Sequence, residues 1–297
     1  MEPVELPDGF GTEVRSSDSI ARVGDWSLVL HSAAITHRLD IVHGRIVIAV
    51  AAGDEARARS ALDAFDEESR PVADVPVPDL GPSPLGMAMA VVLVALYVAA
   101  GARDEGLASV WFRVGSASAA AIVAGEWWRT VTALMLHADL LHLVGNVVAS
   151  LLFVSAVGRW LGAGLGGAVI LASAATANLL TAHFYQARHV SVGASTATFA
   201  ALGVLSGLQM VHRRRHGLPR HRRHAWVPLA AGLGLIVMLG SSERADLVAH
   251  VCGLGTGLIA GMGLGLARVR APGRLVQGAL GLATAATLAV AWLFAFA

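Results

Sequence analysis

Ser195, in Gly193-Ala194-Ser195-Thr196, and His250, in Ala249-His250-Val251-Cys252-Gly253, each lie within an uncharged apolar stretch of membrane length. Ionisable groups at membrane depth are costly and are functional candidates by default. Serine is a poor nucleophile until a base takes its proton, and neutral imidazole is suited to that task. The pair therefore suggests hydrolysis inside a bilayer. Small neighbours around His250, with the close-packing signature Gly253-x-x-x-Gly257, would let the helix carrying Ser195 approach it. The blander reading of Gly193-x-Ser195 is helix packing, because Gly, Ala, Ser and Thr are the ordinary interface residues of membrane helices. It also lacks the second glycine of the Gly-x-Ser-x-Gly elbow.

A second constellation is His137-Ala-Asp-Leu-Leu-His142-Leu-Val-Gly-Asn146. His142 and Asn146 are four apart, share a helix face, and bring hydrogen-bond donors without a fixed charge. Taken alone they read equally well as interfacial polar residues. The His-Glu-x-x-His spacing of a zinc site is absent, so no metal and no cofactor are expected. Asp246, four residues before His250, could orient the ring as a triad acid does, since helical side chains lean toward the N-terminus. An aspartate facing interfacial water is the favoured alternative.

These residues need helices to position them. The chain has 297 residues, 55% hydrophobic and 14% charged, and a mean hydropathy of +0.63. That composition belongs to multi-span membrane proteins rather than soluble enzymes. Residues 1–80 hold 15 of the 21 acidic and 7 of the 22 basic residues, so an acidic head precedes a basic-looped body. No nucleic-acid partner is implied. All basic residues are arginine, and the single Cys252 permits no intrachain disulfide. Met1 to Ser19 lack an apolar core, so a cleaved signal peptide is not expected.

Residues 1–70 read as a small soluble α+β domain of two helices and two strands, with a hairpin around His43-Gly44. Five prolines make 71–84 a stiff linker. Seven apolar runs follow: Leu85–Ala102, Leu140–Gly158, Trp160–Gln186, Val190–Val211, Trp226–Ser242, Leu247–Ala267 and Leu275–Ala297. A spanning helix needs about 20 apolar residues, with about 17 as the lower limit, so seven spans are expected. Val114–Gly125 is shorter and reads as interfacial or re-entrant. With the N-terminus inside, ten arginines fall on inner loops and five on outer ones, which predicts a cytoplasmic N-terminus. A bacterial inner membrane is the expected location.

Taken together, the motifs resemble those of the rhomboid family of intramembrane serine proteases. The resemblance covers about 85–267. Glu126-Trp127-Trp128-Arg129 resembles the family's tryptophan-arginine motif, and His142 and Asn146 its His-x-x-x-Asn pair, with His137 at the preceding histidine. Gly193-x-Ser195 resembles the nucleophile motif, and Ala249-His250-x-x-Gly253-x-x-x-Gly257 the base motif. The resemblance implies Ser195 as nucleophile and His250 as general base. It implies an oxyanion hole from His142, Asn146 and the Ser195 N–H, with Phe199 against the catalytic ring. The implied fold is mainly α, a polytopic helical bundle with a six-helix core at 85–267, to which 268–297 adds a loop and a seventh helix. The implied substrates are transmembrane proteins cleaved within the lipid bilayer.

Two positions depart from the family pattern. Thr196 stands where glycine usually follows the nucleophile, and Gly158 where an acidic residue is common. One alternative is therefore a catalytically inactive relative that binds transmembrane clients. A transporter would call for an inverted repeat or charges along a path, and neither is evident. The Arg213 to Arg223 cluster reads first as a positive-inside loop and second as a site for anionic lipid.

Overall fold

In a computed structural model of the chain, residues 11–69, 78–101, 110–185, 189–216, 230, 234 and 246–297 are described. The chain divides into two units, Met1–Asp74 and Val75–Ala297. The run Trp226–Ser242 lies outside the described residues apart from 230 and 234, as do 71–77 of the linker and Arg220, Arg222 and Arg223.

The first unit is built from β1 (Thr12–Ser17), α1 (Ile20–Ser32), β2 (His37–Val42), β3 (Arg45–Val50) and α2 (Glu55–Glu68). Ser19 starts α1 by accepting the Arg22 N–H on its hydroxyl. His43 and Gly44 both have positive φ, the signature of the two-residue turn that joins β2 to β3. Val23, Trp26, Leu30, Ile48, Val50 and Leu62 are among the residues that close the core. The structure corrects the strand number from two to three. Strand β1 pairs antiparallel with β3, giving the order β1-β3-β2. Its sequence TEVRSS contains one apolar residue, and a bulge between Glu13 and Arg15 breaks its alternation, so periodicity alone could not find it.

The second unit is helical. It contains α3 (Leu85–Ala100), short helices α4 (Val110–Gly115), α5 (Ala119–Val123) and α6 (Arg129–Thr132), then α7 (Leu140–Leu161), α8 (Ala163–Tyr185), α9 (Ser195–Arg215), α10 (Leu247–Leu266) and α11 (Arg274–Phe296). Among the described residues, α7, α8, α10 and α11 are long and apolar enough to cross a membrane. The α3 helix has 16 residues. A two-stranded ladder joins β4 (Ala117–Ser118) to β5 (Val190–Ser191).

Three expected boundaries move. The second run continues to Leu161 and breaks at Gly162, whose φ is 84°. Arg159 therefore sits in the last turn of α7, where it pairs with Asp79 at 2.5 Å. The fourth run does not begin as a helix at Val190; the helix starts at Ser195, after β5 and a glycine turn. The region around Val114–Gly125 resolves into α4, β4 and α5 rather than one apolar segment.

Helix α9 is the centre of the bundle, buried continuously from Thr196 to Leu208. Its small residues let α10 approach backbone to backbone. A Cβ on Gly253, Gly257 or Gly261 would run into the carbonyls of Thr196, Ala200 and Val204, and one on Gly203 or Gly207 into those of Leu254 and Leu258. This interleaving at four-residue intervals sets the register between the two helices. Helix α11 is tied on by Gln277, whose side chain donates to Leu161 O (2.7 Å) and accepts from Leu165 N (2.9 Å). That one amide satisfies the last carbonyl of α7 and one of the orphan N–H groups in the first turn of α8.

Candidate active site

Ser195 is the first residue of α9, and His250 lies one turn into α10. The register just described brings them together: Ser195 Oγ is 2.8 Å from His250 Nε2. The histidine is 4% exposed. The Phe199 ring, one turn along α9, lies 4.5 Å from its ring centre at a tilt of 31°. The imidazole is thus confined between an aromatic face and the hydroxyl, an arrangement suited to moving a proton from oxygen to nitrogen.

His142 and Asn146 come from the first turns of α7. Asp139 caps that helix by accepting the His142 N–H at 2.8 Å. Gly193 has φ +129°, and a Cβ there would lie 2.6 Å from both Cε1 and Nε2 of His142. The glycine therefore supplies both the turn into α9 and the space for the His142 ring beside Ser195. Asn146 is buried, and its Nδ2 donates one hydrogen bond to His142 O at 2.9 Å. A carboxamide nitrogen carries two hydrogens, so a second donor remains.

His137 packs its ring edge-on to His142, 5.1 Å between centres, and its Nε2 accepts the Ala194 N–H over a long 3.5 Å. Burial, with the His142 ring second, pushes the His137 pKa down to about 3. The ring is therefore neutral at ordinary pH and supports the turn beneath Ser195. Arg129 does not join this group. It pairs with Glu126 at 2.6 Å and donates to the carbonyls of Arg113 and Ser116, pinning the segment between α4 and β4.

Gly253 and Gly257 face α9, and this accounts for Thr196. A Cβ at position 253 would lie 2.6 Å from Thr196 O and 3.4 Å from Thr196 Cγ2. The bare glycine leaves room for the threonine methyl, so the branched residue is accommodated without separating the helices. Gly158 is likewise a contact residue, since a Cβ there would strike Ser83. The neighbouring Arg159 makes the tie to Asp79.

Asp246 does not meet the His250 ring. It is the N-cap of α10 with φ −82° and ψ 81°, so the helical i, i+4 geometry does not apply to it. Its carboxylate accepts the Ala249 N–H at 3.0 Å and lies 2.5 Å from His189 Nε2. Among the described residues, His250 Nδ1 has no hydrogen-bond partner. His189, absent from the sequence reading, is the main residue the site adds. Its only sequence signal is a place six residues before Ser195.

Comparison with known proteins gives a family. A model of the Rhomboid domain matches residues 124–267. The chain is 33% identical over 135 residues to a Bacillus subtilis (strain 168) protein named "Putative rhomboid protease YdcA", covering 46% of this chain and 66% of that one. It is 30% identical over 159 residues to "Rhomboid protease GluP" of the same organism, covering 54% and 30%. It is 28% identical over 141 residues to "Rhomboid-like protease 2" of Toxoplasma gondii, covering 47% and 48%. The matches thus span less than two thirds of the length of each of these relatives. Because the matched domain carries the elements that bring Ser195, His250, His142 and Asn146 to one place, the chain belongs to the rhomboid family.

Proposed function

We propose that this protein is an intramembrane serine endopeptidase that hydrolyses a peptide bond in or beside the transmembrane segment of another membrane protein. The observation that carries this reading is the 2.8 Å approach of Ser195 Oγ to His250 Nε2 within a membrane helical bundle. Its relatives are named rhomboid proteases, which agrees with it.

The mechanism follows from the residues. Ser195 Oγ attacks the scissile carbonyl carbon while its proton passes to His250 Nε2. The resulting oxyanion meets the N–H of Ser195, which opens α9 and has no intrahelical partner. The free hydrogen of Asn146 and the ring N–H of His142 complete the donor set, and the α9 N-terminus adds a favourable dipole. His250 then protonates the leaving amine, and water hydrolyses the acyl-enzyme with His250 as base. A helical substrate must unwind locally to present its carbonyl, so segments with helix-weakening residues are the expected substrates. The N-terminal domain is assigned to the cytoplasmic side, following the arginine bias of the loops.

The test is cleavage of a fluorescent model transmembrane substrate in liposomes by wild type, Ser195→Ala and His250→Ala, each checked for folding. Cleavage by wild type alone is expected. Substrate binding without cleavage by any of the three would replace the protease with a client-binding relative, and equal cleavage by all would dismiss the Ser195–His250 assignment.

A further inference from the structure

Ser195 and His250 stand on different elements, and a second contact joins those elements close to both. His189 begins the segment that leads through β5 to Ser195, and Asp246 ends the segment that leads into α10. The two side chains meet at 2.5 Å, with 23% and 11% of their surface exposed. The Ala249 N–H also caps onto the Asp246 carboxylate at 3.0 Å. One carboxylate thus gathers donors from the segment before the serine and from the first turn of the histidine helix. His189 is itself held from two sides. Its ring stacks on Tyr185 at 4.1 Å and 19°, and its carbonyl accepts the Ala119 N–H at 2.9 Å beside the β4–β5 ladder.

An N-cap alone needs none of this, because an aspartate caps a helix without a histidine partner. A pair this desolvated makes a charge-assisted hydrogen bond, stronger than an exposed ion pair. Burial alone would raise the Asp246 pKa; these donors, His189 foremost, hold it below the usual value.

We propose that His189 and Asp246 are positioning residues, a latch that holds the Ser195 segment in register with the first turn of α10 and so keeps Oγ within reach of Nε2. The proposal rests on the protease reading for its effect on turnover, though not for its effect on order. Misplacing a reacting pair by about 1 Å costs about a hundredfold in rate, so a partial loosening is expected to cost about tenfold or more.

The test uses the full chain in lipid nanodiscs with wild type, His189→Ala and His189→Gln, the last keeping an N–H donor for Asp246. Two readouts are needed. Amide hydrogen exchange is expected to speed up by about tenfold or more at both 190–195 and 246–250 in His189→Ala, as loss of a charge-assisted bond predicts, with α3 unchanged. Unchanged exchange at either segment would overturn the latch. Turnover per active site, titrated with a fluorophosphonate, is expected to fall about tenfold or more in His189→Ala with KM unchanged, and to recover in His189→Gln. Fewer titratable sites, each with wild-type turnover, would reduce His189 to a structural role and also overturn the proposal. If wild type neither cleaves substrate nor reacts with the fluorophosphonate, the protease reading fails, and the exchange experiment still decides the latch.

Discussion

His137 shows how far a residue can act on the site without touching the hydroxyl. It lies just before α7, is 1% exposed, and supports the Ala194 N–H. Its pKa is pushed down to about 3 from the ordinary 6.5, first by burial and then by the adjacent His142 ring. Between those values the unfolded chain holds a proton on this ring that the folded chain does not. The unfolded state binds more protons there, so stability is full above about pH 6.5 and falls as the pH drops toward 3. One group of this kind contributes a slope of up to about 1.4 kcal/mol per pH unit. Melting temperatures of wild type and His137→Asn, compared at about pH 7.5 and about pH 4.5, measure it. The asparagine variant is expected to lose less on acidification, and equal losses would remove His137 from the account. The residue scale also shows what a sequence withholds. His142, Asn146, Ser195, Phe199 and His250 stand out because short motifs carry them. Asp246 was legible as a polar residue near His250 but not as a cap, since the angle at a helix boundary is not written in spacing. His189 carries no motif and becomes visible only when the fold brings Asp246 to it.

Among the elements, the contact between α9 and α10 decides whether the site exists. Gly253-x-x-x-Gly257 announces close packing in the sequence. The matching Gly203, Gly207 and Gly261 acquire meaning only when the opposite helix is known. The same helix provides its own control. Around Gly255 a Cβ would meet nothing within 4 Å, whereas at Gly257 it would run into the Ala200 backbone, which has no flexible end to move aside. Gly257→Ala is therefore expected to destabilise by about 1–3 kcal/mol, the usual cost of overpacking, and to separate Ser195 from His250. Gly255→Ala is expected to be neutral or to gain up to about 1 kcal/mol from helix propensity. Thermal unfolding and substrate cleavage of the two variants side by side check this, and similar behaviour of both would refute the proposed interleaving. Element boundaries were less legible for a related reason. A charge such as Arg159 looks like a loop marker, yet it can sit in the last turn of α7 when Asp79 is there to meet it. Gly162, with its positive φ, makes the actual break.

For the molecule as a whole, the division into Met1–Asp74 and Val75–Ala297 predicts that the first unit carries enough core to fold by itself. A chain of that size is near the lower limit for independent folding, because a small domain buries a modest share of its surface. This one closes three strands and two helices around Trp26, Leu30, Ile48 and Leu62 among others, each of them at most 4% exposed. It also fastens α2 back onto the rest through polar contacts. Trp26 Nε1 donates to Asp66 at 2.9 Å, and Arg15 pairs with Asp63 and Asp66. Trp26 is the only tryptophan in residues 1–74, so its fluorescence reports this core alone in the isolated fragment. A fragment of residues 1–74 is expected to melt in a single cooperative transition seen equally by Trp26 fluorescence and far-ultraviolet circular dichroism. Trp26→Ala, at a cost of about 3–5 kcal/mol, is expected to abolish that transition in so small a domain. A gradual, non-cooperative loss of signal in the unmodified fragment would show that the α+β unit depends on the membrane bundle for its fold, and that the two units are one folding system.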